Sequence, residues 1–149
     1  MHGLMLFLHL IGLAVWIGGM AFAHFCLRPA ALELPPPQRL PLMAGALGRF
    51  FAWVIVAIVL LWVSGLSMML AVGMAAAPVI WHLMMGIALL MTLFFIVIRA
   101  VHFPALRAAV AEQKWPAGAA ALNRIRQLVA VNLALGVVTI AVATVGRMV

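Results

Sequence analysis

Four apolar stretches, each long enough to cross a lipid bilayer, constrain the fold of this chain more than any other feature. They run from about residue 4 to 25, 50 to 73, 79 to 101 and 127 to 145. A helix of about 20 residues crosses a hydrocarbon core of ~30 Å. Only 7% of the 149 residues are charged, whereas a soluble domain carries roughly 25%. The sequence predicts an all-α integral membrane protein: a four-helix bundle that forms one domain over residues 1–149.

The remaining composition excludes several other classes of protein. The net charge is +7, but the basic residues form no run or stripe that would track nucleic-acid phosphates. The single cysteine, Cys26, leaves no internal disulfide and no CxxC motif. Residues 21–23 resemble a signal-peptidase site, yet no Lys or Arg precedes them, so we expect the first span to be retained.

The positions of the basic residues predict the orientation of the bundle. They cluster between spans one and two and between spans three and four, at Arg28, Arg39, Arg49, Arg99, Arg107, Lys114, Arg124 and Arg126. Because Lys and Arg are retained on the cytoplasmic side, both termini and the uncharged connection near residues 74–78 are expected to be periplasmic. Pro35–Pro37 predict an extended first loop, and residues 119–128 a short interfacial helix.

Histidines within the spans are the strongest candidates for function, because ionisable residues are rare there. His9 shares a helix face with Gly12, Trp16 and Gly19, and small residues leave space for a flat ligand. His82 has the same predicted depth. One interpretation is a b-type haem near the periplasmic face, with imidazoles of His9 and His82 as iron ligands.

Each of these residues also has a simpler interpretation. Glycines pack helices together, His9 can bond a neighbouring hydroxyl, and His82 can be hydrated at the interface. Arg147 either pairs with a haem propionate or extends to the interface from the chain end. His24 and His102 invite a second haem, but the 20-residue step from His82 to His102 turns the helix face by about 200°. They are better explained as interfacial residues.

Methionines support a competing interpretation. Thioether and imidazole ligands suit Cu(I), and most of the eleven methionines lie in the half of the chain predicted to be periplasmic. Met68, Met84 and Met85 with His82 are the copper-ligand candidates. The alternative is that methionine fills gaps between apolar helices.

Several segments together resemble a known family, the CopD-like (copper resistance D) membrane proteins, which are related to the HemJ-type protoporphyrinogen oxidases. The matching segments are residues 8–20 (LHLIGLAVWIGGM), 27–31 (LRPAA), 37–42 (PQRLPL), 48–51 (GRFF), 82–86 (HLMMG) and 121–129 (ALNRIRQLV). The resemblance implies a multi-pass protein of the bacterial inner membrane. Its HemJ side implies a b-type haem at His9 and a membrane oxidoreductase, and its CopD side implies copper uptake from the periplasm.

Three functional hypotheses follow from these observations. The first is a small haem b protein that exchanges electrons with a quinone or a periplasmic redox partner. The second is a copper-binding or copper-transport protein that is served by a periplasmic donor. The third is a cofactor-free assembly subunit. Small-residue helix faces are in addition compatible with a homodimer.

Overall fold

Four long helices make up the fold in a computed structural model that describes residues 2–145. They are α1 (Gly3–Ala31), α2 (Pro36–Val72), α3 (Val79–Ala111) and α4 (Trp115–Val145). All four are long and apolar enough to cross a membrane. No strand occurs within residues 2–145. The prediction of an all-α membrane protein with four spanning helices is confirmed.

The helices extend beyond the predicted apolar stretches into both basic loops. The extended loop predicted at Pro35–Pro37 is wrong, because only Pro35 is extended and Pro36 and Pro37 begin α2. Proline is tolerated in a first helical turn, where its missing N–H has no partner to lose. The predicted short helix at residues 119–128 is likewise part of the continuous α4.

Two wide helical turns interrupt α1 and α3 at matching places. The π-helical turns Ala23–Leu27 and Ile98–His102 each end two residues before a proline, Pro29 or Pro104. A proline ring clashes with the carbonyl four residues earlier and lacks an N–H. Widening the helix by one residue accommodates the proline without breaking the span.

The matching turns belong to a wider repeat of α1–α2 in α3–α4. The buried residues Trp16, Met20 and Ala31 of α1 correspond to Met91, Phe95 and Leu106 of α3, each 75 positions later. Buried positions of α2 recur in α4 with an offset of 78, as in the pairs 40 and 118, 47 and 125, and 51 and 129. The chain therefore uses one helical hairpin twice.

The two ends of the bundle differ in packing. We call the end with loops 32–35 and 112–114 the basic end, and the end with residues 3, 73–78 and 145 the termini end. Around Phe51, aromatic rings pack edge to face in the half towards the basic end, with Phe95 at 5.7 Å and Phe103 at 5.2 Å. Helices that follow one another in the sequence pack together, and α4 also contacts α1 and α2. The backbones of α1 and α3 hardly approach one another. The core is thus dense in one half, and the helices enclose a cavity in the other.

Candidate metal-binding cavity

A cavity of about 580 Å³ lies between the four helices at the termini end. Its lining is mainly apolar, with leucines from α1 and α2 and Pro78 from the connecting loop. The lining includes one histidine, His9, and five methionines: Met68, Met69, Met84, Met85 and Met91. The polar groups of α4 in the lining are Thr139 and Thr144, whose hydroxyls bond to carbonyls of their own helix. The soft donor atoms in the lining are the imidazole nitrogen of His9 and the thioether sulfurs of the methionines.

A hydrogen bond to Ser64 orients the ring of His9. Ser64 is fully buried on α2, and its hydroxyl donates to the Leu60 carbonyl at 2.5 Å. The same hydroxyl oxygen lies 2.9 Å from His9 Nδ1. With the hydroxyl proton directed at the Leu60 carbonyl, the geometry fits the tautomer in which Nδ1 carries the proton and donates to Ser64. His9 Nε2 therefore has a free lone pair, as a metal-binding imidazole requires.

Gly65 makes space for this arrangement. A Cβ atom at Gly65 would lie 3.2 Å from His9 Cε1 and 3.6 Å from Nδ1. A contact of 3.2 Å between carbon atoms is tighter than usual van der Waals packing, so the ring would have to shift by a few tenths of an ångström. A larger side chain at this position would displace the imidazole from Ser64, so the Ser64–Gly65 pair on α2 positions the ring.

Methionines face the histidine from the other half of the repeat. Met84 is the counterpart of His9, 75 positions later, and both residues line the cavity. Met91, the counterpart of Trp16, also lines it, and so does Trp16, whose ring packs edge-on against Phe95. Equivalent positions of the two hairpins thus supply an imidazole and a thioether to one space.

The structure brings together some of the sequence-predicted residues and separates others. Met68, Met84 and Met85 line the cavity with His9 and Trp16. His82 does not line it: the residue is exposed, and its Nδ1 lies 3.3 Å from the Pro78 carbonyl of its own helical turn. Arg147 lies outside the described residues.

The glycines predicted to flank a cofactor, Gly12 and Gly19, pack against α2. A Cβ at Gly12 would lie 3.0 Å from the Ala57 carbonyl oxygen and 3.0 Å from Leu61 Cγ. A Cβ at Gly19 would overlap the ring of Phe50. Both glycines allow close approach of α1 and α2, and neither lines the cavity.

Sequence reasoning did not single out two methionines of the cavity or the hydrogen bond that holds its histidine. Met69 and Met91 are buried in the cavity wall, but nothing in their local sequence separates them from packing residues. The bond between Ser64 and His9 spans 55 positions, and no local pattern reveals it. Asn132 of α4 is buried beside the cavity residue Met91 and donates to its carbonyl at 3.1 Å.

A metal at this cavity would depend on sulfur. Within residues 3–145, no three His, Cys, Asp or Glu side chains come close enough together to hold a metal ion. His24 and His102 lie at the basic end, in the two π-helical turns. One imidazole with several thioethers is a soft donor set, which suits Cu(I) and not hard divalent cations.

Comparison with known proteins identifies the family. No curated protein and no solved structure gives a significant match to the chain. A family model, described as copper resistance protein D (CopD), matches residues 44–145. This range contains most of α2 and all of α3 and α4, and it includes every methionine of the cavity. The chain is therefore a multi-pass membrane protein that belongs to the CopD family.

Proposed function

We propose that this protein binds Cu(I) in the methionine-lined cavity and takes part in copper handling in a bacterial inner membrane. The observation that carries the proposal is the convergence of His9 and five methionines on one cavity in a member of a copper resistance family. In this proposal His9 Nε2 and thioethers of Met84 and Met85 bind the ion. With the termini end facing the periplasm, as the basic residues predict, a periplasmic donor delivers the copper.

The cavity has the properties that a transient copper site needs. Thioethers are neutral ligands, so a Cu(I) site built from them places no anionic side chain in the apolar interior of the bundle. Polarizable sulfur compensates for the hydration that the ion loses. Several methionines offer more donors than one ion uses, which allows the ion to exchange between ligands as it enters or leaves.

Copper titration tests this proposal. Purified protein in detergent would compete with the chromophoric chelator bicinchoninate for Cu(I), and copper and iron would be measured in the same sample. We expect one Cu(I) per chain and X-ray absorption showing sulfur and nitrogen neighbours. A protein that leaves all Cu(I) with the chelator would contradict the proposal.

Methionine variants locate the site. Met84→Leu/Met85→Leu should lower the Cu(I) affinity about tenfold or more, because leucine keeps the volume but has no thioether. The matched control is Met20→Leu/Met43→Leu, which replaces two buried methionines outside the cavity. Equal losses in both variants would indicate a general effect of methionine content and would count against this site.

Ser64→Ala tests the positioning of His9. Without the hydroxyl, Nδ1 of His9 loses its hydrogen-bond acceptor, and the ring is no longer held in one orientation. The Cu(I) affinity should therefore fall about tenfold, as it does when other hydrogen-bond partners of metal-bound histidines are removed. Ser67→Ala is the control, because the exposed Ser67 hydroxyl makes the same bond to its own helix, to Val63, without reaching His9. An unchanged affinity in Ser64→Ala would mean that His9 does not need this bond.

A b-type haem is the second candidate, favoured by the size of the cavity. Its volume of about 580 Å³ lies within the range of roughly 300–1,000 Å³ found for ligand and cofactor sites. The donors present do not fit two axial histidines, since His82 lies outside the cavity. They fit one imidazole from His9 and one thioether, a ligand pair found in cytochromes c. Bound haem would supply one-electron redox chemistry, and the quinone-linked role would follow from it.

An absorption spectrum distinguishes the two candidates. Protein purified after expression with added haem precursor should be colourless if copper is the ligand. A Soret band with sharp reduced α and β bands, and iron near one per chain, would favour haem instead. Colourless protein that binds neither metal would favour the cofactor-free assembly subunit.

A further inference from the structure

A second pocket, separate from the methionine-lined cavity, lies at the basic end of the bundle. It has a volume of about 160 Å³ and is enclosed by α1, α2 and α4. Its polar lining consists of His24, Arg28, Arg39, Asn123 and Arg126. The three arginines are half-buried. The rest of the lining is apolar, mainly leucine and alanine side chains.

The positive charge of this pocket has no counterpart among the described residues. The chain has two acidic residues, Glu33 and Glu112. Glu112 pairs with Lys114 at 2.5 Å, and Glu33 is exposed and does not line the pocket. Half-buried guanidinium groups are screened less than groups in water. Three of them around one small space therefore favour an anion between them.

Arg126 has a donor that the protein leaves without a partner. Its Nη2 donates to Asn123 Oδ1 at 2.6 Å, which orients the guanidinium. Its Nε is buried and makes no hydrogen bond to the described residues. A buried N–H without an acceptor is unfavourable, and an anion oxygen in the pocket would satisfy it. Guanidinium groups bind phosphate through paired N–H donors.

The internal repeat shows what would otherwise fill this space. Arg28 and Arg126 correspond to Phe103 and Gly48, by the offsets of 75 and 78. The Phe103 ring lies against Gly48: a Cβ atom added to Gly48 would be 3.2 Å from Cζ of Phe103. Between α2 and α3, an aromatic ring packed on a glycine fills the space. The equivalent place between α1 and α4 has two arginines and a pocket. Two facing cations are a poor substitute for that packing unless an anion joins them.

We propose that this pocket binds the phosphate group of an anionic phospholipid. The site lies where α1 leaves its apolar span, next to Phe22 and Phe25, which are 61% and 68% exposed and available to acyl chains. The apolar remainder of the lining suits the glycerol and first acyl carbons better than it suits a hydrated free ion. Basic pockets between transmembrane helices bind lipid head groups in this way.

Native mass spectrometry with defined lipids tests the proposal. Full-length protein would be released from nanodiscs containing phosphatidylglycerol and phosphatidylcholine, and the lipids that stay bound would be counted. We expect a preference for phosphatidylglycerol that falls about 25-fold in Arg28→Gln/Arg126→Gln, since each arginine contributes about fivefold. The control Arg107→Gln/Arg124→Gln removes the same charge at the same end from two exposed positions and should change the preference less than about threefold.

One further double variant and one competitor make the result decisive. Arg28→Lys/Arg126→Lys keeps the charge but not the paired donors, so it should lose part of the preference even if the Gln variant does not fold. Equal losses in the pocket and control variants would overturn the proposal in favour of general surface attraction. Inorganic phosphate that displaces phosphatidylglycerol at millimolar concentration, or binds with no lipid preference, would overturn it in favour of a soluble phosphate ligand.

Discussion

Replacing His9 with phenylalanine is expected to lower the Cu(I) affinity of the protein at least about 100-fold, the largest binding effect of any single change considered. His9 supplies the imidazole of the cavity, and its Nε2 lone pair is free because Nδ1 donates to Ser64. Phenylalanine keeps the planar ring beside Gly65 but has no donor atom. The Cu(I) affinity is measured by competition with bicinchoninate. X-ray absorption on the copper-loaded variant then shows whether a nitrogen neighbour of the copper is lost.

His82→Phe is the matched control for this experiment. His82 belongs to the same end of the bundle but is exposed and does not line the cavity. We expect its Cu(I) affinity to stay within about threefold of the parent protein, as for surface changes away from a site. If His82→Phe loses as much copper as His9→Phe, or if His9→Phe loses none, copper binding does not use the cavity as proposed.

Replacing Phe51 with alanine is expected to destabilise the protein by about 2–3 kcal/mol, the largest expected loss of stability from a single side chain. Phe51 is 1% exposed and packs against Phe50, Phe95 and Phe103, which come from two different helices. In soluble proteins such a change removes about 3–5 kcal/mol. We expect less here because a ring released into lipid stays in an apolar medium, so mainly the packing term is lost.

Phe22→Ala provides the comparison for Phe51→Ala. Phe22 is 61% exposed and faces outward from α1, so its removal should change stability by less than about 0.5 kcal/mol. Both variants would be unfolded reversibly by adding SDS to mixed micelles, with helicity as the signal. Similar losses for Phe22 and Phe51 would show that the aromatic cluster does not hold the helices together.

The sequence was sufficient for the class of fold because the bilayer leaves few alternatives. With 7% charged residues and four long apolar stretches, backbone groups in lipid must be satisfied within each segment, and a helix does so. The ends of the helices were not predictable from hydropathy. Residues 103–111 and 115–126 are helical although they contain arginines and lie outside the predicted apolar stretches, because packing between α3 and α4 continues there.

The candidate site was predicted only in part. His9 was recognisable because an ionisable residue in an apolar span is unusual, and Met68, Met84 and Met85 were placed at the right depth. Hydropathy gives depth but not direction, so His82 was grouped with His9. Its side chain belongs to the outer surface of α3. Gly12 and Gly19 show the same limit: small residues mark close approach, and only the neighbours decide whether a helix or a ligand approaches.

The sequence by itself determined that the chain crosses a membrane four times, since that depends on the solvation of each segment separately. For the same reason, it also predicts on which side of the membrane the basic residues lie. Tertiary structure alone decided which donors meet. The bond between His9 and Ser64, the convergence of five methionines and the facing arginines at the basic end all join residues from different helices. Such contacts depend on how each helix is rotated about its axis, and packing between helices sets that rotation.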